Sequence, residues 1–203
     1  MKPSKILFVT GTDTGVGKTV FAALAAVYLR QNGCRAAALK PICSGGRADA
    51  RLLHAAAGKV LSLEEVNPWH FRAALAPVLA ARKEKKRVHL RKVAAHIQQM
   101  AKRFEAVIVE GAGGLLSPLG EDFDSRDLIQ TLRATPVIVC PNKLGAVNQV
   151  RLVLAALPPE ARRQARVMLV NQKKPDAASR TNLKLLQEYV APANLRTIPW
   201  IST

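Results

Sequence analysis

The chain has 203 residues, 49% of them hydrophobic and 22% charged, the balance of one globular domain with a real core. No apolar run reaches about 18 residues, which excludes a transmembrane helix, and the apolar stretch after Lys5 is too short for a signal peptide. Lys and Arg outnumber Asp and Glu by 31 to 14, a net charge of +17 that favours anionic partners; the basic residues are spread out and only 4% of residues are aromatic, so a nucleic-acid partner is not the expectation.

In chain order, apolar runs alternate with helical spacing. Ile6–Val9 reads as a buried parallel strand ending at Thr10-Gly11, and Val20–Gln31 as a helix stopped by Asn32-Gly33. Arg35–Leu39 is the second strand and Asp49–Ala57 a short helix. The basic run Arg82–Arg87 reads as a solvated connection before a helix over Leu90–Lys102, whose Val93, Ile97 and Met100 share one face. Ala106–Val109 is a strand ending at Glu110. Pro136–Cys140 is a strand followed by a helix over Val147–Leu157. Arg166–Val170 is a strand ending at Asn171, Thr181–Val190 a helix, and Arg196–Ile198 a last strand. Such alternation implies an α/β fold: a mostly parallel central sheet with helices on both faces, in a single domain over residues 1–203. Cys34, Cys43 and Cys140 lack any pairing or metal-binding spacing, which suits a reducing, cytoplasmic setting.

Ligands of such sheets bind beyond the carboxyl ends of the strands, and the informative residues sit there. Gly11-Thr12-Asp13-Thr14-Gly15-Val16-Gly17-Lys18-Thr19 joins the first strand to the first helix. Its glycines let backbone N–H groups wrap a phosphate, Lys18 reaches the β- and γ-phosphates, and the Thr19 hydroxyl is a Mg²⁺ ligand. The loop is one residue longer than the usual phosphate-loop pattern, whose first glycine would fall at Thr12.

Lys40 closes the second strand, ahead of Pro41-Ile42-Cys43-Ser44-Gly45. It is either a cation for the same crevice or a solvated strand end. Asp49 is either a metal ligand or a carboxylate serving a helix N-terminus. Glu110, directly after a strand and before Gly111-Ala112-Gly113-Gly114, occupies the place of a second metal anchor. Asn142-Lys143-Leu144-Gly145-Ala146-Val147-Asn148 opens a helix whose N-terminus suits an anion. Asn171 is either a purine-reading amide or a turn residue.

Together these motifs, with Ile198-Pro199-Trp200, occur in the order and spacing of dethiobiotin synthetases, and the chain resembles that family along nearly its whole length. The longer loop G-T-D-T-x-V-G-K-T is the most specific part. The resemblance implies a P-loop NTPase-like fold and an ATP- and Mg²⁺-dependent reaction. In it, 7,8-diaminononanoate takes up CO₂ as a carbamate, ATP phosphorylates the carbamate, and the second amine closes a ureido ring. It also implies roles. Lys18 and Lys40 serve catalysis; Asp13, Thr14, Gly15, Val16, Gly17, Lys18, Thr19 and Asn171 hold nucleotide; Thr19, Asp49 and Glu110 hold Mg²⁺. Thr14, Lys40, Ser44, Gly113, Gly145 and Asn148 line the substrate, partly across a homodimer interface. Three features depart from the family: a short Ser44–Asp49 loop, Gly15 where some members carry Glu, and a chain that ends soon after Trp200. A partitioning-type switch ATPase is the first alternative, but Thr12, Asp13 and Thr14 stand where those proteins place an early signature lysine, and no terminal amphipathic helix is present to meet a membrane. A related ATP-dependent ligase with another substrate is the second.

Overall fold

Strands that read as unbroken apolar runs must be covered on both faces, which a parallel sheet between two helix layers provides. The computed structural model of the protein describes residues 5–201. β1 (Lys5–Gly11), α1 (Lys18–Gln31) and β2 (Ala36–Leu39) lead into β3 (Ile42–Ser44), α2 (Ala48–Ala56), α3 (Leu63–Val66), β4 (Trp69–Phe71) and α4 (Pro77–Lys83). α5 (Leu90–Ala101), β5 (Ala106–Glu110), α6 (Ser125–Leu132), β6 (Thr135–Pro141) and α7 (Ala146–Ala156) follow. The described chain closes with α8 (Pro159–Gln164), β7 (Arg166–Val170), α9 (Asn182–Leu186) and β8 (Leu195–Ile198). Six strands form one parallel sheet in the order β2-β5-β1-β6-β7-β8, while β3 and β4 pair separately.

Alternation along each strand divides the core into two layers. Val9, Ala38, Ile108 and Val139 pack toward Ala22, Ala23 and Ala26 of α1 and Leu53 of α2. Phe8, Leu39, Val109 and Ile138 point the other way, into Val93 and Ile97 of α5, Leu128 and Ile129 of α6 and Val150 of α7. The alanines of α1 carry the least side-chain bulk, so this helix and its phosphate-facing end lie close against the sheet.

The expected fold class is the observed one; β3, β4, α3, α4 and α8 are further short elements that the sequence reading did not name, and three other differences are instructive. Thr181–Val190 is not one helix: a 3₁₀ turn over Ala178–Arg180 precedes the five-residue α9. The apolar spacing there reports burial of Leu186 and Val190 rather than continuous helix, and Pro192 forces Ala191 into extended backbone. Arg82 and Lys83 belong to α4, and the solvated connection begins at Glu84. Finally α6, absent from the sequence reading, starts at a capping box. Asp124 accepts from the backbone N–H groups of Arg126 and Asp127, and Asp127 accepts from that of Asp124.

Candidate active site

All six parallel strands deliver their carboxyl ends to one edge, and the register there decides which residues meet. Val9 lies opposite Glu110, and Leu39 opposite Val109. Lys40, the residue after β2, therefore emerges beside Glu110. β1 ends at Gly11 because the turn is tight: a Cβ there would lie 2.6 Å from Val16 Cγ2. Gly17 takes φ +99°, a left-handed conformation suited to glycine, and caps α1 without a side-chain hydrogen bond. The first N–H groups of α1 are thus left for an anion.

Two lysines converge on this edge. Lys18 is 6% exposed and its Nζ donates to the carbonyl of Asp13 at 2.6 Å, curling back over the loop. Burial and the nearby Lys40 charge push its pKa down to about 8. Lys40, 4% exposed, donates to Glu110 Oε1 at 2.5 Å and to the Gly111 carbonyl at 3.1 Å, and stands 3.2 Å from Asp49 Oδ2. Burial pulls the Lys40 pKa down, but Glu110 and Asp49 outweigh it and hold the ammonium charged. Glu110 is itself buried, which pushes its carboxyl up against the opposing pull of Lys40. The Thr19 hydroxyl donates to the same Oε1 at 2.9 Å, tying α1 to β5.

The oxygens around this ammonium fit Mg²⁺. Glu110 Oε1 serves Thr19 and Lys40, while Oε2 is buried with no hydrogen-bond partner among the described residues. An orphaned carboxylate oxygen inside a folded protein is costly, and a cation would satisfy it. No group of three or more His, Cys, Asp or Glu side chains able to hold a metal exists among the described residues. A bound ion would draw its remaining ligands from the hydroxyl of Thr19, water and phosphate, as Mg²⁺ sites commonly do.

The other expected residues divide. Thr14 and Gly113 approach each other: a Cβ on Gly113, at φ +69°, would collide with Ser117 and lie 3.9 Å from Thr14 Oγ1. Asp13 accepts the Thr14 N–H at 2.7 Å, and Gly15, at φ +72°, has open space beside it. Val16 is buried against the sheet. Ser44 Oγ donates to the Leu75 carbonyl. Gly145 caps α7 at φ +89° and Asn148 lies in that helix's first turn, and no hydrogen bond among the described residues joins them to the lysines. Asn171 accepts from Asn142 Nδ2 at 2.9 Å through its carbonyl oxygen.

Sequence reasoning missed two residues that hold the Lys40 segment. Asn67 is fully buried; its Nδ2 donates to the Lys40 carbonyl at 2.6 Å, and its Oδ1 accepts from Arg47 Nε at 3.1 Å and from Cys43 Sγ at 3.2 Å. Arg47 also reaches the Leu63 carbonyl at 2.9 Å. Burial pushes the Cys43 thiol pKa up, which keeps it protonated as the donor to Asn67. In the sequence, Asn67-Pro68 reads only as a turn, and nothing local marks its long-range partners.

The chain is similar to known proteins. A family model described as "AAA domain" matches residues 5–203. The chain is 37% identical over 182 residues to the ATP-dependent dethiobiotin synthetase BioD of Akkermansia muciniphila, covering 89% of this chain and 85% of that protein. It is 44% identical over 155 residues to the enzyme of that name from Anaeromyxobacter dehalogenans (74% and 70% covered), and 36% identical over 149 residues to that of Methanococcus vannielii (73% and 71%). Among solved structures, the signal recognition particle receptor FtsY of Elizabethkingia anophelis in complex with GDP superposes with a TM-score of 0.59 at 15% identity, over 97% of this chain and 56% of that one, a likeness of fold alone. The chain belongs to the ATP-dependent dethiobiotin synthetase family.

Proposed function

We propose that the protein makes dethiobiotin in biotin biosynthesis, from 7,8-diaminononanoate, CO₂ and ATP. Family membership carries the reaction, and one observation supports its location: Lys18, Thr19, Lys40, Asp49 and Glu110, from four separate segments, gather at the phosphate loop.

The chemistry demands positive charge more than a strong base. Both the carbamate formed from CO₂ and the γ-phosphate of ATP are anionic, and they must come into contact. A carbamate oxygen attacks the γ-phosphorus, the bond to ADP breaks, and a carbamic–phosphoric anhydride results. The second amine attacks the carbonyl carbon, a C–N bond replaces the C–O bond to phosphate, and the amine proton passes to solvent. Lys18 and Lys40 offset the charge of both anions, so positioning and electrostatics supply most of the rate. Thr19, Asp49 and Glu110 would hold Mg²⁺, which when bound adds charge compensation at the phosphates. Asp13–Thr19 and Asn171 are assigned to nucleotide, and Thr14, Lys40, Ser44, Gly113, Gly145 and Asn148 to the diamine. Gly15 leaves that side of the pocket without a carboxylate, so less charge there faces the amines.

A homodimer in the cytoplasm completes the proposal. A groove of about 530 Å³ runs beside Thr12 and Asp13 between Leu116, Pro118 and Leu152. Leu116 and Leu152 of this groove are 53% and 62% exposed, an apolar surface that a second subunit would cover. No helix among the described residues is long and apolar enough to cross a membrane.

The test is phosphate release from ATP with and without the diamine and bicarbonate, with mass spectrometry of the product. Diamine-dependent release with a dethiobiotin mass supports the proposal. Release that ignores the diamine and rises with DNA refutes it. Sedimentation of the wild type against Leu152→Arg tests the dimer; a monomer at micromolar concentration removes it.

A further inference from the structure

The reaction uses one edge of the sheet and leaves most of the positive charge unexplained. Residues 128–203 carry eleven Lys and Arg against three acids, Glu160, Asp176 and Glu188. At the opposite edge, where β7 and β8 begin, lies a pocket of about 480 Å³. Its rim holds Arg151 of α7 and Arg162 and Arg163 of α8, with Tyr189 beside them. β7 has five residues, so this edge stands about 16 Å from the phosphate-loop edge.

We propose that this pocket is a second anion site, built for a small organic phosphate. The Arg151 guanidinium lies 4.2 Å from the centre of the Tyr189 ring, which fixes its orientation by a cation–π contact. None of the three arginines has a carboxylate within 4.0 Å among the described residues. Like charges gathered without a counter-ion repel one another, and an anion between them removes that cost. Guanidinium forks match phosphate oxygens in pairs. Leu154 and Val190 give the pocket an apolar floor, and Tyr189, 48% exposed, offers a hydroxyl and a ring edge to an organic body. The volume falls in the range of small-molecule sites. A polynucleotide would ask for an extended basic track with stacking platforms, and this is a single concavity with one aromatic ring.

The site is independent of the reaction assigned above, and its test keeps the two apart. Fructose 1,6-bisphosphate, a non-nucleotide organic phosphate, is titrated calorimetrically into protein saturated with ADP and Mg²⁺, at physiological ionic strength. The expected result is one site with Kd below about 1 mM. Arg151→Gln/Arg162→Gln/Arg163→Gln should weaken it at least about tenfold while ADP affinity is unchanged. Arg87→Gln/Arg91→Gln/Lys92→Gln removes the same charge from an exposed surface elsewhere and should leave binding intact. Absence of binding to the wild type overturns the proposal, as does equal weakening in the two triple variants, which would mean diffuse attraction. Displacement of the sugar phosphate by a single-stranded oligonucleotide, binding about a hundredfold tighter and with a steep salt dependence, overturns it in favour of a polynucleotide surface.

Discussion

Replacing Lys40 by Met tests whether the buried ion pair at the centre of the site is a coupled unit. The substitution keeps side-chain length but removes the ammonium that contacts Glu110 Oε1 at 2.5 Å, the Gly111 carbonyl at 3.1 Å and Asp49 Oδ2 at 3.2 Å. Glu110 is then 1% exposed with only the Thr19 hydroxyl as partner. Breaking one side of a buried pair costs about 3–5 kcal/mol, which for a chain of this size lowers Tm by about 6–20 °C. Glu110→Gln strands Lys40 in the same way, less severely because Asp49 remains. The double variant Lys40→Met/Glu110→Gln leaves neither member of the pair charged and stranded, so it should be destabilised by less than the sum of the two, with a coupling energy of at least about 2 kcal/mol. Urea unfolding without nucleotide or Mg²⁺, followed by circular dichroism, measures all four proteins. The Lys40→Met defect should shrink as pH falls, because the uncompensated Glu110 carboxyl, already pushed up by burial, takes a proton more readily folded than unfolded. Additivity within about 0.5 kcal/mol, with no pH dependence, would refute the coupled pair.

Lys18 titrates near 8 in the free protein, so its ammonium is present below that pH and lost above it. Bound triphosphate favours the charged form, hence affinity for a non-hydrolysable ATP analogue should fall about tenfold from pH 7 to pH 9, with proton uptake seen by calorimetry in two buffers; a flat profile rejects the assignment. Lys18→Ala should cost about 3–4 kcal/mol of transition-state stabilisation in kcat/KM, and near-normal turnover would remove Lys18 from its role. Asp49→Asn and Glu110→Gln should each raise the Mg²⁺ concentration needed for half-maximal rate, and an unchanged titration argues against metal anchoring. Asn67→Leu removes the donor to the Lys40 carbonyl and the acceptor of Arg47 Nε and should lower kcat more than it raises the KM for ATP; an equal change in both would mean a merely structural role.

Local pattern in the sequence determined the six strands of the parallel sheet, the helices α1, α2, α5 and α7, and the candidate residues that follow strands at the active edge. Short unbroken apolar runs alternating with helical stretches read as two-sided parallel strands, and parallel strands put their following loops together. That is why Lys18, Thr19, Lys40 and Glu110 were legible as neighbours before any distance was known. What tertiary structure alone decided is how they touch. The pairing of β2 with β5, non-consecutive in the chain, sets Lys40 against Glu110. Asn67 and Arg47, with no motif of their own, hold that segment through contacts that no local pattern encodes. The arginine pocket is likewise invisible in one dimension: Arg151, Arg162, Arg163 and Tyr189 look like scattered surface residues until α7, α8 and the segment before β8 pack side by side. Hydrophobic periodicity reports which residues leave water. It carries no information on which buried surfaces meet, because that depends on the pairing of strands and the packing of helices across the whole sheet.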